Sequence, residues 1–524
     1  MQVVPQQFHD LAQGDIIPLS WGNRISFTKE WDDSVQFAQY NVSAYDGTDL
    51  YAPSEDDPIN FWDYYKYDDY TKRLLSMEWT RTLDFPYSVS SAQADFVMNN
   101  TDSFFNPNSG SAIEDYILPK RPVRLLAGYA GNNLQQFVGI TEKAPLLDDT
   151  AKTASFHGTD FLTEIFALSL TDIIAMQNVR TDEVLTAILS QFDIAPSSYV
   201  FAKARNVIPF VFFDVDKNAG NAIRELMQAE GGHLWIDENG VIRFETRLPE
   251  VESPVILLDD SNTVSLSQSG DIGIINQVKI TSDVRTVCEF QKIKSNVSVY
   301  AKKTGTTENA FIIPANGSAV YNMDLDDPCL TVQAPIIGER TDGSWFTATT
   351  TTGASVSNVA VTGTVLHTNQ YVTFLKNNNS FPVIIDQFEL WGQPARIKNT
   401  IKYLAKDQDS IDKYELQALG GDEGITNNFF GSYNNCESFA QTIVDAYSDF
   451  NPTLEAEIIG DYSLQMGDVV ALSARLNDDL YRITSVTTQV YPFNYKIKAR
   501  RYNQRSWAKY DITVYNDPVD VLAP

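Results

Sequence analysis

In DVDKNAGNAIRE, residues 214–225, Asp214, Asp216, Asn218 and Glu225 stand at the first, third, fifth and twelfth positions of an EF-hand loop. Such a loop surrounds calcium with oxygen atoms, and its sixth position takes glycine for a sharp turn. Here that position is Ala219, and Asn221 stands where an apolar residue is usual. The same residues open an amphipathic helix from Asp216 to Gly231-Gly232, with Ala219, Ala222, Ile223, Leu226 and Met227 on one face. Loop and helix exclude each other, and the capped helix is the expected form.

A second cluster of oxygen atoms lies in ADFVMNNTDSFFNPNSGS, residues 94–111, where a strand gives way to Asn, Asp, Ser and Pro. Asn99-Asn100-Thr101 is a glycosylation sequon, which carries weight only behind a secretory signal. No carboxylate closes the cluster at a calcium-loop spacing, so a turn leaving the strand is expected around Asn100 and Asp102. The stretch YAPSEDDPINFWDYYKYDDY (51–70) sets six carboxylates among Trp62, Tyr64, Tyr65 and Tyr67. Aromatics beside acids stack on sugars or bury against protein, and packing on its own subunit or a neighbour is expected here.

Catalytic templates are absent: the chain has no G-x-S-x-G, H-E-x-x-H, Walker A or G-x-G-x-x-G. His9, His157, His233 and His367 are scattered. A carboxylate pair for hydrolysis is a three-dimensional arrangement that no spacing singles out. The expectation is a protein that is not an enzyme, with no catalytic, cofactor-binding or metal residues and no cofactor.

The 524 residues carry 39 Lys and Arg against 68 Asp and Glu, a formal charge of −29, which argues against phosphate binding over most of the surface. Cys288, Cys329 and Cys436 are odd in number and far apart, suggesting neither a disulfide framework nor a zinc knuckle. The start lacks the basic and apolar regions of a signal peptide, and no run is long enough for a spanning helix.

The elements that position these residues are mainly strands, read from period-two alternation broken by turns. RLLSMEWTRTLDF, RPVRLLAGY and QQFVGITEKAPLL place a β-domain over 73–165, after an N-terminal segment (1–72) that includes the acidic-aromatic loop. A helical module spans 166–232, with Thr181 as the N-cap of a helix whose face is Val184, Leu185, Ile188, Leu189 and Phe192. HLWIDENGVIRFETR then reads as a hairpin turning at Asn239-Gly240 in a type I′ turn. It opens a second β-domain, 233–295 with 400–505, interrupted by a β-sandwich insert at 296–399 and followed by a tail, 506–524. A further helix over 436–450 shows Phe439, Ala440, Ile443, Val444 and Tyr447 on one face.

Read in order, five segments resemble the baseplate-hub, or tail-tip hub, proteins of long-tailed bacteriophages. The first is the Asn/Asp turn with its Phe/Pro loop, at Asn100, Asp102, Phe105 and Pro107. It leads to the P-x-R-P-V-R strand, Pro119 to Arg124, and the F-x-G strand, Phe137 to Gly139. NAIRELMQAEGGHLWIDENGVIRFETR is similar to the family's helix and hairpin, and GIINQVKITSD to its next strand. Asp407, Ser410, Ile411 and Tyr414 match D-x-x-S-I-x-x-Y, and Gly460, Leu464, Gly467, Asp468 and Val470 match the closing turn. The chain departs from the family at Ser103 and Glu415, where glycine is usual.

The resemblance implies two β-barrels like those of tail-tube subunits, here 73–165 and 233–295 with 400–505. Three copies would imitate a six-fold ring and adapt the tube to a three-fold tip. Implied partners are the chain itself as a homotrimer, distal tail and tube proteins, the tape-measure protein and tip or fibre proteins. Genomic DNA would pass through the lumen without specific binding, in a virion component made in the host cytoplasm. The acidic balance suits such a passage, because a wall that bound phosphates would retain the genome. The alternatives are a glycan-binding tip protein, using the insert and the aromatic loop, or a tail-associated cell-wall hydrolase.

Overall fold

The computed structural model describes residues 19–27, 65–129, 132–247, 253–269, 273–298, 311–450, 452–459, 462–472, 480–490 and 494–501. Most of the acidic-aromatic stretch, 51–64, and the terminal segments 1–18 and 502–524 lie outside the described residues. The fold is mainly β, with five α-helices among the described residues.

The first β-unit consists of β1 (Leu19–Ile25), β2 (Leu74–Thr82), β3 (Gln93–Asn99), β4 (Pro122–Tyr129), β5 (Asn132–Thr141) and β6 (Thr153–Thr159). They lie side by side in the order β2-β3-β6-β5-β4-β1. Alternation sorts their faces: in β2, Met77, Trp79 and Arg81 are buried while Glu78 and Thr82 are exposed. β1 comes from the N-terminal segment and pairs along its whole length with β4, Leu19 opposite Tyr129 and Ile25 opposite Val123.

An α/β module follows, with α1 (Leu162–Ala167), β7 (Ile174–Arg180), α2 (Thr181–Ser190), β8 (Val207–Phe213) and α3 (Ala219–Glu230). The hairpin of β9 (His233–Ile236) and β10 (Ile242–Glu245) completes it rather than opening a second barrel. β9 pairs with Ser88–Val89 and β10 with Tyr199–Phe201, so Leu234 and Phe244 enter one core with Ile188, Ile223 and Leu226.

Three local expectations change. Thr181 is the first residue of α2; Arg180 is the N-cap, and its backbone N–H donates to the Glu183 carboxylate at 2.8 Å. α3 starts at Ala219, because Asp216 has a left-handed backbone (φ +66°) and Asn218 provides the cap, accepting from Asn221 N at 2.9 Å. The β9–β10 turn is not type I′, which needs positive φ at two residues; only Gly240 has it, and Asp237 Oδ1 ties the loop by accepting from Asn239 N and Val241 N.

The second β-unit is assembled from β11 (Thr263–Ser269) and strands from the C-terminal part of the chain. Between them lie β12 (Gln277–Val287), the insert with β13 (Val359–Leu366) and β14 (Gln370–Asn377), and the 24-residue β15 (Val383–Lys406). Then come α4 (Gln408–Tyr414), α5 (Tyr433–Tyr447), β16 (Thr453–Ile458), β17 (Val469–Leu472), β18 (Leu480–Val490) and β19 (Asn494–Arg501). β11, β16, β19 and β18 are neighbours in that order, and β18 pairs with β2 from Met77–Val490 to Thr82–Ser485.

The two β-units therefore share a single 14-stranded sheet and one apolar core, with Trp79, Phe96 and Leu125 from one and Leu454, Ile483 and Ile497 from the other. Each such fully buried side chain contributes about 1.5–3 kcal/mol. β12 and the end of β15 belong to neither unit: Val278, Ile280, Ile401 and Ala405 pack on Phe439 and Ile443 of α5. The insert has its own core around Ile313, Phe346, Leu375 and Phe388.

Candidate functional site

The corner after β3 is built by Asn100 and Asp102. Asn100 is buried; its Oδ1 accepts from Phe105 N at 2.9 Å and its Nδ2 donates to Asn106 Oδ1 at 2.7 Å. This turns the chain back so that Phe105 fills the end of the core, edge-on to Phe156 with ring centroids 5.4 Å apart. Asp102 stays outside and receives both terminal nitrogens of Arg73, each at 2.8 Å. The Arg73 guanidinium lies 4.1 Å from the centre of the Phe104 ring. Its hydrogen bonds hold the Asp102 carboxyl down at about 2. Asn99 Oδ1, the sequon oxygen, accepts from Thr101 N at 2.9 Å. These oxygen atoms are engaged in shaping a turn.

The motif residues around this corner have equally local duties. Gly139, the glycine of F-x-G, sits where an added Cβ would overlap the Thr159 carbonyl oxygen and the Phe137 ring, so β5 reaches β6 only without a side chain there. In the D-x-x-S-I-x-x-Y segment, Asp407 caps α4 by accepting from Ser410 N at 3.0 Å, and Ser448 Oγ donates to its other oxygen at 2.8 Å. Tyr414 OH reaches Asp449 at 2.7 Å, fastening α4 to the end of α5. In the closing turn Gly467 has φ +89°, and Asp468 Oδ2 accepts from Gln465 N at 2.7 Å. Gly460 lies outside the described residues.

Ser103 has φ +57° and Glu415 has φ +65° with ψ 173°. These are the two positions where the chain lacks the glycine usual in the resembling family. The backbone keeps a conformation that suits glycine although the residue does not.

The EF-hand-like segment is dispersed. Asp214 accepts from His367 Nδ1 at 2.8 Å and from Thr368 N and Oγ1 at 2.9 Å each. Lys217 pairs with Glu225 at 2.7 Å, and Asn218 is occupied as the cap of α3. Among the described residues no group of three or more His, Cys, Asp or Glu is placed to hold a metal ion. His157 meets Asp95 at 2.8 Å on the exposed sheet face. Burial pushes the Cys329 and Cys436 thiols up to about 12.

Sequence reasoning missed the buried polar junction between the β-units and the α/β module. Residues 83–92 thread it: Leu83 N donates to Thr484 O at 2.7 Å, Ser88 N to Gly232 O at 3.2 Å and Ser90 N to Leu234 O at 2.9 Å. Beside them Arg81 pairs with Glu238, Arg482 with Glu245, and His233 Nδ1 faces Ser88 Oγ at 2.9 Å. Burial pushes Asp160 up to about 7, with backbone N–H groups of Ala92 and Leu162 and the Arg81 charge opposing it. Burial pushes His233 down to about 3. Partners such as Ser88 and His233, 145 residues apart, and Arg81 and Glu238, 157 apart, leave no local signal.

Solved structures of prophage tail proteins are similar to this mainly β chain. The 43 kDa tail protein of prophage MuSo2 from Shewanella oneidensis is 9% identical at a TM-score of 0.43, over 84% of this chain and 97% of that one. A tail protein from Neisseria meningitidis MC58 is 10% identical at 0.43, over 84% and 95%. The prophage tail protein gp18 from Listeria monocytogenes EGD-e is 12% identical at 0.39, over 85% and 94%. No family model matches the chain, and no curated protein matches it.

Proposed function

We propose that this chain is a structural hub of a bacteriophage tail tip. Three copies adapt the tail tube to the tip and surround the passage for DNA, with tube, tape-measure and tip or fibre proteins as neighbours. The observation that carries this reading is the behaviour of Ser103 and Glu415. Both replace the family's glycines, and both stand at positive φ, within motifs whose other residues cap and clamp the same corners. A chance likeness of letters has no reason to fall on positions with that backbone requirement.

The shared sheet supplies a rigid wall, because β2 and β18 weld the two β-units into one body. The net charge of −29 suits a passage that must not retain nucleic acid. In this reading the positions lining the passage are predominantly acidic, and a trimer map with a Lys/Arg-lined channel would overturn that part.

The test of the whole reading is gold labelling of intact tails with an antibody to this chain, combined with absolute quantitation by mass spectrometry. Label confined to the distal end with about three copies per tail, the number of the three-fold arrangement, is the expected result. Label along the shaft, or none on the particle, overturns it.

A further inference from the structure

The insert is joined to the rest of the protein without a shared apolar core: among the described residues its core has no residue in common with the others. Its stalk is the ladder between the ends of β12 and β15. There Arg396, Ile397, Lys398, Asn399 and Thr400 are all exposed, so neither face of the strand is covered. Over the same span β15 pairs only with β12 among the described residues, and the register slips at Lys398, with Val284 opposite Asn399 but Arg285 opposite Ile397. On the partner strand Val284 is buried in the core against α5, so the least covered part of this bulged two-stranded ribbon is 285–287 with 396–399, and that part bends readily.

The insert has a second attachment. The turn between β13 and β14 sets His367 and Thr368 against Asp214, which takes all three of their hydrogen bonds. Strand Cys329–Val332 of the insert also passes close to β7. Asp214 belongs to the loop that enters α3, and 154 residues separate it from Thr368. One carboxylate thus holds a turn of a body that stands on the ribbon, with strand Cys329–Val332 alongside β7.

The geometry points to a hinged arm: the ribbon 285–287/396–399 is the hinge, and the Asp214–His367/Thr368 contact is the latch that holds the insert against the α/β module. Opening the latch leaves every apolar core intact, because none crosses the joint. The insert then swings as a body while the 14-stranded sheet stays in place.

The test is hydrogen exchange and solution scattering on the full chain, comparing the parent with Asp214→Ala and with His367→Ala/Thr368→Ala. The second variant leaves the loop before α3 untouched and removes two of the three bonds. With the latch open, amide exchange rises about tenfold or more in 285–287 and 396–399 as well as at 367–369. The largest particle dimension increases, while exchange in β13, β14 and α3 is unchanged. Faster exchange limited to 367–369 in both variants, with unaltered scattering, overturns the hinge. A response to Asp214→Ala alone, accompanied by faster exchange throughout α3, overturns the latch.

Discussion

Arg81 and Glu238 face each other at 3.1 Å inside the protein, with side chains only 3% and 4% exposed. A buried pair of this kind gains little over apolar neighbours but leaves a costly charge when one partner is removed. Arg81→Met is therefore expected to destabilise the fold by about 3–5 kcal/mol. Arg81→Met/Glu238→Met is expected to recover most of that loss. Urea unfolding of the two single variants and the double variant checks this; a double variant as unstable as the sum of the singles refutes it.

Ser103→Gly and Glu415→Gly are both expected to stabilise. Side chains at positive φ are strained, and the Glu415 region near ψ 180° is almost confined to glycine. The gain is about 0.5–1 kcal/mol for Ser103 and about 1–2 kcal/mol for Glu415, net of the greater freedom of the unfolded chain. Glu415 O, which accepts from Asn276 Nδ2 at 2.7 Å, survives the change. A fall in unfolding midpoint for both variants would refute the strain.

Gly139→Ala introduces a methyl group where the Thr159 carbonyl and the Phe137 ring already stand. Either β5 withdraws from β6 or Phe137 leaves its buried position. The expected loss is about 1–3 kcal/mol, read as a lower urea midpoint. Gly110→Ala is a useful contrast, since open space surrounds that position and only its positive φ resists.

His233 and Asp160 should tilt the pH profile in opposite directions. His233 is pushed down from 6.5 to about 3, so the unfolded chain takes up the proton first; its contribution is full above pH 6.5 and lost as pH falls towards 3. Asp160 is pushed up from 3.8 to about 7, so its contribution is full below pH 3.8 and lost as pH rises through 7. Relative to the parent, His233→Gln should lose stability as pH rises from 4 to 6.5, and Asp160→Asn should gain it. Urea midpoints across that interval measure both slopes, and parallel profiles would contradict the assignment.

What was legible in the sequence is what short-range pattern carries. The α3 stripe of Ala222, Ile223, Leu226 and Met227 is buried as its spacing requires, and the β2 alternation sorts Met77 and Trp79 inward. The turn at Asn100 was legible because its partners, Phe105 and Asn106, are five and six residues away. The place of the β9–β10 hairpin was not, since its neighbours are Ser88–Val89 and Tyr199–Phe201. Nor was the duty of Asp214, whose spacing suggested a cation while its hydrogen bonds go to a turn in the insert. Pairing across such distances is decided by packing, which a single sequence does not display.

The pairing of β2 with β18 also bears on how the chain is made. Thr82 and Ser485 are 403 residues apart, so the partner of β2 leaves the ribosome long after β2 itself. Until then β2 offers an unpaired edge while the modules translated after it are already forming. Closing so long a span makes that step late and entropically demanding. Truncation within β18 would therefore injure β2 of the N-terminal β-unit, 403 residues upstream at Thr82–Ser485, before it touched the insert.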